Sequence, residues 1–257
     1  MTAPPAEIST FWHGDQLPAH IRLCLKSFVD HGHALTLYSY DEIQVPRGIR
    51  VRDANAILPH SRLFYYRTGV GAGSVAGFAN LFRYKLLLEH GGWWVDTDVL
   101  CLSPVLPEGS LVFGWEAAGL LGSAVLKIPR GHDLASRLLA EAEKIVEDRG
   151  EGLAWGETGP NLFTRVVIEN GLDGIAAPTE RFYPLHWTEF ELVLQPGACA
   201  GVTERTRNSS FLHLWNEMFR RHKTDIATAT QDGSYLARRF DQHGLRNLLA
   251  FQRPAEL

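Results

Sequence analysis

Residues 80–98 read NLFRYKLLLEHGGWWVDTD, and this stretch decides how the chain begins to fold. Apolar residues recur at helical spacing over residues 78–90, which predicts a helix. Gly91 and Gly92 should end it, because glycine readily adopts the left-handed conformation found at helix C-termini. An apolar strand follows over residues 93–100. The stretch therefore predicts a helix, a glycine turn and a strand.

Two aspartates in this strand, Asp96 and Asp98, are the main candidates for chemistry. Residues two apart in an extended strand point to the same face, so we expect both carboxylates on one side of its end. At about 5 Å they repel by about 3 kcal/mol at an effective dielectric of about 20, and a cation relieves that repulsion. Hard oxygen ligands select Mg²⁺ or Mn²⁺. Two aspartates separated by one residue are also common at solvated strand ends.

Strand and helix patterns alternate on both sides of this stretch. They predict strands at 8–12, 34–40, 111–115 and 123–128, and helices at 17–29, 133–149 and 158–170. The strand-helix-strand opening favours an α/β fold with a mixed central sheet flanked by helices. The chain has 257 residues and shows neither a linker nor a repeat. We therefore expect one domain with its acidic pair beside a cleft, since α/β sites gather beyond strand ends.

Composition excludes several classes of partner. The net charge of −4 provides no overall field that would attract nucleic acid. No apolar run approaches the roughly 18 residues of a transmembrane segment, so none is expected. The three cysteines are odd in number and lack CxxC spacing, which argues against a disulfide framework. These features favour a cytoplasmic protein and leave peripheral contact with a membrane open.

The ordered pattern of residues 80–98 resembles the DXD sugar-binding region of glycosyltransferase family 32. That family includes α-mannosyl- and α-1,4-galactosyltransferases and capsular polysaccharide enzymes, and the clostridial glucosylating toxins are distant relatives. The resemblance implies a GT-A-type fold and a metal-dependent, retaining transfer of sugar from a nucleotide-sugar donor, with a UDP-sugar favoured over a GDP-sugar. The acceptor could be a glycan, a lipid-linked sugar or a protein. It also implies a donor-binding half at about 8–104 and an acceptor side with a closing segment at about 105–257.

The resemblance assigns donor-side roles to several residues. Trp12, in the Phe-Trp-His-Gly opening, would stack on the nucleotide base, although a buried core aromatic fits the pattern too. Arg83 would bind donor oxygens. Asn80 stands three residues before it, where the family usually carries aspartate, and its amide would still contact the sugar. In Phe-Leu-His-Leu-Trp, His213 would complete the metal site of Asp96 and Asp98.

Two further assignments concern the leaving group and the acceptor. Trp215 would close the site, with its indole N–H on the departing phosphate. The turn formed by Gly159, Pro160 and Asn161 resembles the family's acceptor-side turn, although it also reads as an ordinary helix start with proline in the first turn. The nearby His186-Trp187 pair matches the family pattern less well.

Two alternative functions, from other classes of protein, remain compatible with the sequence. Residues 71–76 read GAGSVA, which fits the GxGxxA fingerprint of a nicotinamide- or nucleotide-binding Rossmann protein. That fingerprint belongs at the first strand-helix turn, however, and a strand-helix-strand unit already precedes it. A catalytically silent sugar-binding homologue would carry the same motifs as the enzyme.

Overall fold

The computed structural model describes residues 7–249. The strands in this range are β1 Glu7–Phe11, β2 Ala34–Ser39, β3 Arg50–Asp53, β4 Gly92–Val95, β5 Val99–Cys101, β6 Val112–Ala117, β7 Leu120–Ile128 and β8 Phe211–His213. The α-helices are α1 Ala19–Asp30, α2 Ala76–His90, α3 Asp133–Arg149, α4 Pro160–Glu169, α5 Thr179–Phe182, α6 Cys199–Thr206, α7 Asn216–Arg221, α8 Ile226–Ala229 and α9 Tyr235–Gln242. A 3₁₀-helix, Trp187–Leu194, is the longest of several such turns.

The main sheet has the strand order β3-β2-β1-β4-β7-β6. The first four strands in this order pair in parallel, whereas β7 pairs antiparallel with both β4 and β6. The predicted mixed α/β sheet is therefore confirmed. The expected strands and helices form, but the pattern missed two strands, β3 and β8. The sequence of β3, Arg-Val-Arg-Asp, is exposed along its whole length, so it carries no apolar alternation.

Alternating side chains of the sheet supply two hydrophobic cores, one on each face. Trp93 and Val95 join α1 and the C-terminal helices in one core. Trp94, between them, packs with α2, α3 and α4 in the other. Helix α2 ends as predicted at Gly91, whose φ is 68°. A Cβ there would meet the Arg130 backbone nitrogen at 2.3 Å, so the turn needs glycine for space as well as for conformation.

The predicted single strand at 93–100 is wrong in one respect that matters for the site. It is two strands, β4 and β5, which belong to different sheets, and the turn between them holds Asp96, Thr97 and Asp98. The backbone N–H of Asp96 still bonds to the Ala124 carbonyl of β7, whereas that of Val99 bonds back to the Asp96 carbonyl. The two aspartates therefore lie where the chain passes from the large sheet to the small one.

Two simpler expectations can be compared directly with the structure. Cys24, Cys101 and Cys199 are buried and unpaired, in line with the absence of a disulfide framework. Among residues 7–249, no helix is both long enough and apolar enough to cross a membrane.

Candidate active site

The small sheet explains how a residue far along the chain reaches the aspartate pair. Strand β8 pairs antiparallel with β5, and its register sets His213 opposite Val99. The Leu214 N–H then donates to the Asp98 carbonyl at 3.0 Å. These backbone contacts alone place His213 beside Asp98.

The side chains of Asp96, Asp98 and His213 converge, with one potential ligand atom of each lying within 4.8 Å of the others. His213 Nε2 is 3.1 Å from Asp98 Oδ2, and both side chains are 12% exposed. The other ring nitrogen, Nδ1, is buried and has no hydrogen-bond partner in residues 7–249. Two carboxylates and an imidazole with an unpartnered ring nitrogen form a donor set that fits a divalent cation.

Asp98 is held in its charged form. Burial opposes ionisation of its carboxyl, but the adjacent His213 ring and the backbone N–H of Asn216, which donates at 2.8 Å, outweigh that effect. Together they lower the pKa of Asp98 to about 2. Burial likewise opposes protonation of His213, yet the Asp98 charge raises its pKa above 6.5. Each group therefore favours the charged form of the other.

Asp96 has a different set of partners, drawn from helix α2 and strand β4. Arg83 Nη2 donates to Asp96 Oδ1 at 2.7 Å, and the Trp94 indole N–H donates to the same oxygen at 2.8 Å. Burial nevertheless raises the pKa of Asp96, and the Asp98 charge adds to the increase while Arg83 opposes it. The second oxygen of Asp96 has no hydrogen bond within the described residues, and the side chain is 28% exposed.

Arg83 is a buried residue rather than a surface charge, with only 3% of its side chain exposed. Besides Asp96 it donates to the Ser123 carbonyl, and its guanidinium lies 5.2 Å from the centroid of the Trp94 ring. Its Nε is buried without a partner in residues 7–249. The arginine therefore links helix α2 to two strands of the sheet and retains an unused donor.

These groups face a cavity of about 600 Å³. The predicted site residues that line it are Trp12, Asn80, Arg83, Asp96, Asp98, Pro160, Asn161, His213 and Trp215. Gly159 is not part of its wall, but a Cβ there would meet Asn80 Nδ2 at 3.0 Å, so it lies directly behind that wall. The structure thus brings the donor-side and acceptor-side predictions together in one space of ligand size.

Contacts within the wall connect the two sides. Asn80 Nδ2 donates to the Thr158 hydroxyl at 3.1 Å, and the Tyr84 hydroxyl donates to the Thr158 carbonyl at 3.0 Å. Pro160 occupies the first turn of α4, as its sequence predicted. Trp12 is partly buried and donates its indole N–H to the Gln16 carbonyl at 3.1 Å.

Trp215 has a protein partner for the indole N–H that the resemblance assigns to the departing phosphate. This N–H donates to the Leu185 carbonyl at 3.0 Å. The ring centroid lies 4.1 Å from that of His213, and the backbone has a φ of 59°. Trp215 therefore contacts His213 through its ring, and its indole N–H is engaged within the protein.

Three other features correct or extend the sequence reading. His186 caps the 3₁₀-helix through Thr188 and Glu189, which gives it a structural role. The GxGxxA segment follows an irregular loop instead of a strand, so the Rossmann fingerprint lacks its structural context. Glu116 lines the cavity and was not identified from sequence, because nothing in the Trp-Glu-Ala of its strand forms a motif.

The family model for the alpha 1,4-glycosyltransferase conserved region matches residues 129–240. That range begins after the DXD segment and includes His213 and Trp215, so it supports the family independently of residues 80–98. The chain is similar to the family 32-like glycosyltransferases over this range.

Individual glycosyltransferases are also similar to this chain. Over 146 residues, the chain is 26% identical to mouse lactosylceramide 4-alpha-galactosyltransferase. This match covers 52% of this chain and 39% of that enzyme. Human alpha-1,4-N-acetylglucosaminyltransferase is 24% identical over 184 residues, 65% of this chain and 51% of that enzyme. The chain thus matches about half or less of the length of these relatives. The solved structure of the PaToxG glycosyltransferase superposes with a TM-score of 0.50 at 16% identity, covering 66% of this chain and 72% of that one, which confirms the GT-A-type fold.

Proposed function

We propose that the chain is a metal-dependent glycosyltransferase that moves a sugar from a nucleotide-diphosphate sugar, favouring UDP over GDP, to an acceptor. The observation that carries the proposal is the convergence of Asp96, Asp98 and His213 at the wall of a cavity large enough for such a donor. The relatives described above are a galactosyltransferase and an N-acetylglucosaminyltransferase. Either sugar is therefore a reasonable first donor to test.

Asp96, Asp98 and His213 would hold Mn²⁺ or Mg²⁺, and this cation would act as a Lewis acid that stabilises the charge developing on the leaving diphosphate. Arg83 binds one oxygen of Asp96, a residue that lines the cavity, and the other oxygen would be available to the cation. Trp215 packs on His213 and keeps its ring in place. The protein thus preorganises the charged groups before the donor arrives, which is where electrostatic catalysis draws its advantage.

The cavity also supports separate places for donor and acceptor. Trp12 lies on its wall near the first strand and is available to stack on the nucleotide base. Asn80 and the turn that holds Pro160 and Asn161 form another part of the wall, suited to sugar hydroxyls through amide groups. Retention of anomeric configuration is part of the proposal, carried by the family resemblance. The acceptor could be a glycan, a lipid-linked sugar or a protein.

A thermal-shift panel tests the proposal directly. UDP-galactose, UDP-N-acetylglucosamine, UDP-glucose and GDP-mannose are each added with Mn²⁺, with Mg²⁺ and with excess chelator. A donor at a hundredfold excess over its Kd should stabilise the folded chain by about 2.7 kcal/mol, and chelation should remove the effect. Equal stabilisation by NAD, or by a donor in excess chelator, would contradict the metal-dependent proposal.

Turnover separates the enzyme from a catalytically silent sugar-binding homologue. Release of UDP is followed with each donor that binds, alone and with p-nitrophenyl glycosides of galactose, glucose, N-acetylglucosamine and lactose. We expect metal-dependent release of UDP that a glycoside accelerates, with NMR of the product showing an α-linkage. Binding without any release of UDP would identify the silent homologue instead.

A further inference from the structure

Glu116 occupies an irregular position in the β6-β7 hairpin. Trp115 pairs with Leu121 and Ala117 pairs with Leu120, so two steps on β6 correspond to one step on β7. Glu116 is therefore the extra residue of a β-bulge, two positions before the hairpin turn. Bulges next to active sites re-aim a side chain out of the regular alternation of the strand. Here the bulged residue lines the cavity that contains the aspartate pair.

The carboxylate of Glu116 is not consumed by contacts within the protein. No hydrogen bond or ion pair to it is present among residues 7–249, whereas Glu217, another carboxylate of the cavity wall, is bound by both Arg220 and Arg221. Partly buried carboxylates normally find a partner, because an unpaired buried charge is costly. A carboxylate that is placed in a cavity and left unpaired is suited to a ligand.

Glu116 also lies close enough to the metal-site residues to feel their charges. Burial raises the pKa of its carboxyl, and the Asp96 charge adds to this increase while His213 opposes it. The group nevertheless lies outside the cluster whose ligand atoms converge, which contains Asp96, Asp98 and His213 only, within the described part of the chain. Its position is thus near the reaction centre and separate from the proposed cation.

We propose that Glu116 binds the acceptor, its carboxylate accepting a hydrogen bond from the hydroxyl group that attacks the donor sugar. The inference rests on the proposed function and adds an acceptor-binding residue to it. Three observations carry it: the bulge that directs the residue, the shared cavity and the absence of a competing protein partner in the described residues. A carboxylate is a strong acceptor and cannot be replaced fully by an amide, which carries no charge.

The test compares Glu116→Gln and Glu116→Ala with wild type. The matched control is Glu191→Gln, since Glu191 is exposed on the 3₁₀-helix and does not line the cavity. Each protein is assayed for hydrolysis of UDP-galactose in water and for transfer to p-nitrophenyl β-lactoside, with Mn²⁺ present. Donor affinity is measured by thermal shift. Because Glu116 has no bond to lose, both variants should fold, and their melting temperatures confirm it.

We expect Glu116→Ala to raise the acceptor KM, or lower kcat/KM for the acceptor, by roughly tenfold to a hundredfold, the range for a hydrogen bond to a charged group. Glu116→Gln should show a smaller loss. Donor affinity and donor hydrolysis should stay within about twofold of wild type, and Glu191→Gln should match wild type throughout. An equal loss of hydrolysis and transfer would place Glu116 on the donor and overturn the inference. So would an unchanged ratio of transfer to hydrolysis. Failure of the wild type to bind any donor would instead contradict the proposed function.

Discussion

Asp96 and Asp98 are two residues apart in sequence, yet their surroundings shift their acidities in opposite directions. Asp98 contacts His213 and a backbone N–H of the small sheet region, and its pKa falls to about 2. Asp96 contacts Arg83 and Trp94 on the large-sheet side, and burial raises its pKa. Carboxylates whose environments differ in this way commonly have different roles. Asp98 is the fixed anion that ties the C-terminal segment to the site, and Asp96 keeps an oxygen free for a cation or donor.

The largest effect that would break this comparison is expected from Asp98→Asn. Loss of a carboxylate ligand should reduce metal-dependent release of UDP by at least about a hundredfold, since even outer contacts of metal ligands cost about tenfold to a hundredfold. Asp96→Asn should cause a comparable loss of activity, measured at saturating Mn²⁺. Full activity of either variant would remove that aspartate from the metal site.

The two aspartates should also differ in how they make the free energy of unfolding depend on pH. This free energy is measured by urea unfolding in excess chelator. A folded pKa of about 2, against the ordinary aspartate pKa of 3.8, corresponds to about 2 kcal/mol of stabilisation by Asp98. Because this pKa is lowered, the stabilisation is present above pH 4 and is lost as the pH falls towards 2. Asp98→Asn should therefore be less stable than wild type at pH 7. Asp96→Asn should also be less stable than wild type at pH 7, because it leaves the buried Arg83 without its carboxylate partner, but burial raises the pKa of Asp96, so its carboxylate adds no stabilisation that is lost below pH 4.

The next effect concerns Arg83, which the family resemblance assigns to the donor oxygens. The structure adds a role in the fold, because the guanidinium is buried and bonds to Asp96 and the Ser123 carbonyl. Breaking a buried pair by removing one partner costs about 3 kcal/mol or more. Arg83→Ala should thus lower the free energy of unfolding by about that amount, as well as reduce activity by at least about tenfold.

Arg83→Lys provides the matched control for charge. Lysine keeps the positive charge but cannot bond to Asp96 and Ser123 with the same planar geometry. We expect intermediate stability and an activity nearer to that of the alanine variant, measured as kcat/KM for the donor. A lysine variant with wild-type kinetics would show that only the charge matters. Wild-type stability of Arg83→Ala would contradict the buried pair itself.

The sequence predicted the large sheet well because its strands and helices carry their own periodic patterns. Gly91 and Gly92 marked a helix end, and the apolar runs on either side identified α2 and β4. The sequence could not predict that the strand breaks at Asp96, because a turn of three residues between two apolar segments reads as one strand. The break depends on β8, which takes β5 into a separate sheet.

The site was predictable to the extent that its residues fall in ordered motifs. Residues 80–98 and the His213 element matched a family pattern, and the structure brings them to one cavity. Glu116 could not be found this way, because its placement depends on a bulge that only the pairing of β6 with β7 reveals. The hydrogen bond of the Trp215 indole N–H could not be predicted either, since its partner is a backbone carbonyl 30 residues away in the sequence.

A smaller effect concerns pH. If His213 is a metal ligand, its raised pKa means that the metal competes with a proton for the ring. The apparent affinity for Mn²⁺ should therefore rise from pH 6 to pH 8, by up to about tenfold per pH unit while the ring is protonated. Titration calorimetry in buffers of different ionisation enthalpy measures the released proton.

His213→Ala should weaken Mn²⁺ binding by at least about tenfold and flatten this pH dependence. The control is His90→Ala, because His90 is exposed at the end of α2 and does not line the cavity. It should keep the wild-type slope. If His213→Ala retained the wild-type affinity and slope, the imidazole would not be a ligand, and the Asp98-His213 pair would be purely structural.

The smallest effect is expected from Trp215→Phe, and it decides how the C-terminal segment assists Asp98. Phenylalanine keeps an aromatic ring against His213 and accepts the same left-handed backbone as poorly as tryptophan does. It loses the N–H bond to Leu185, which is worth about 1 kcal/mol of stability, and slightly more if that carbonyl stays unpaired.

If Trp215 acts by packing, the melting temperature should fall while kcat at saturating Mn²⁺ stays within about threefold of wild type. If the indole instead turned to the departing phosphate when a donor binds, kcat would fall by tenfold or more at unchanged metal affinity, because such a bond strengthens as charge develops. Measuring kcat and unfolding of the same preparation separates these outcomes, and a fall in kcat without a fall in stability would reject the packing role.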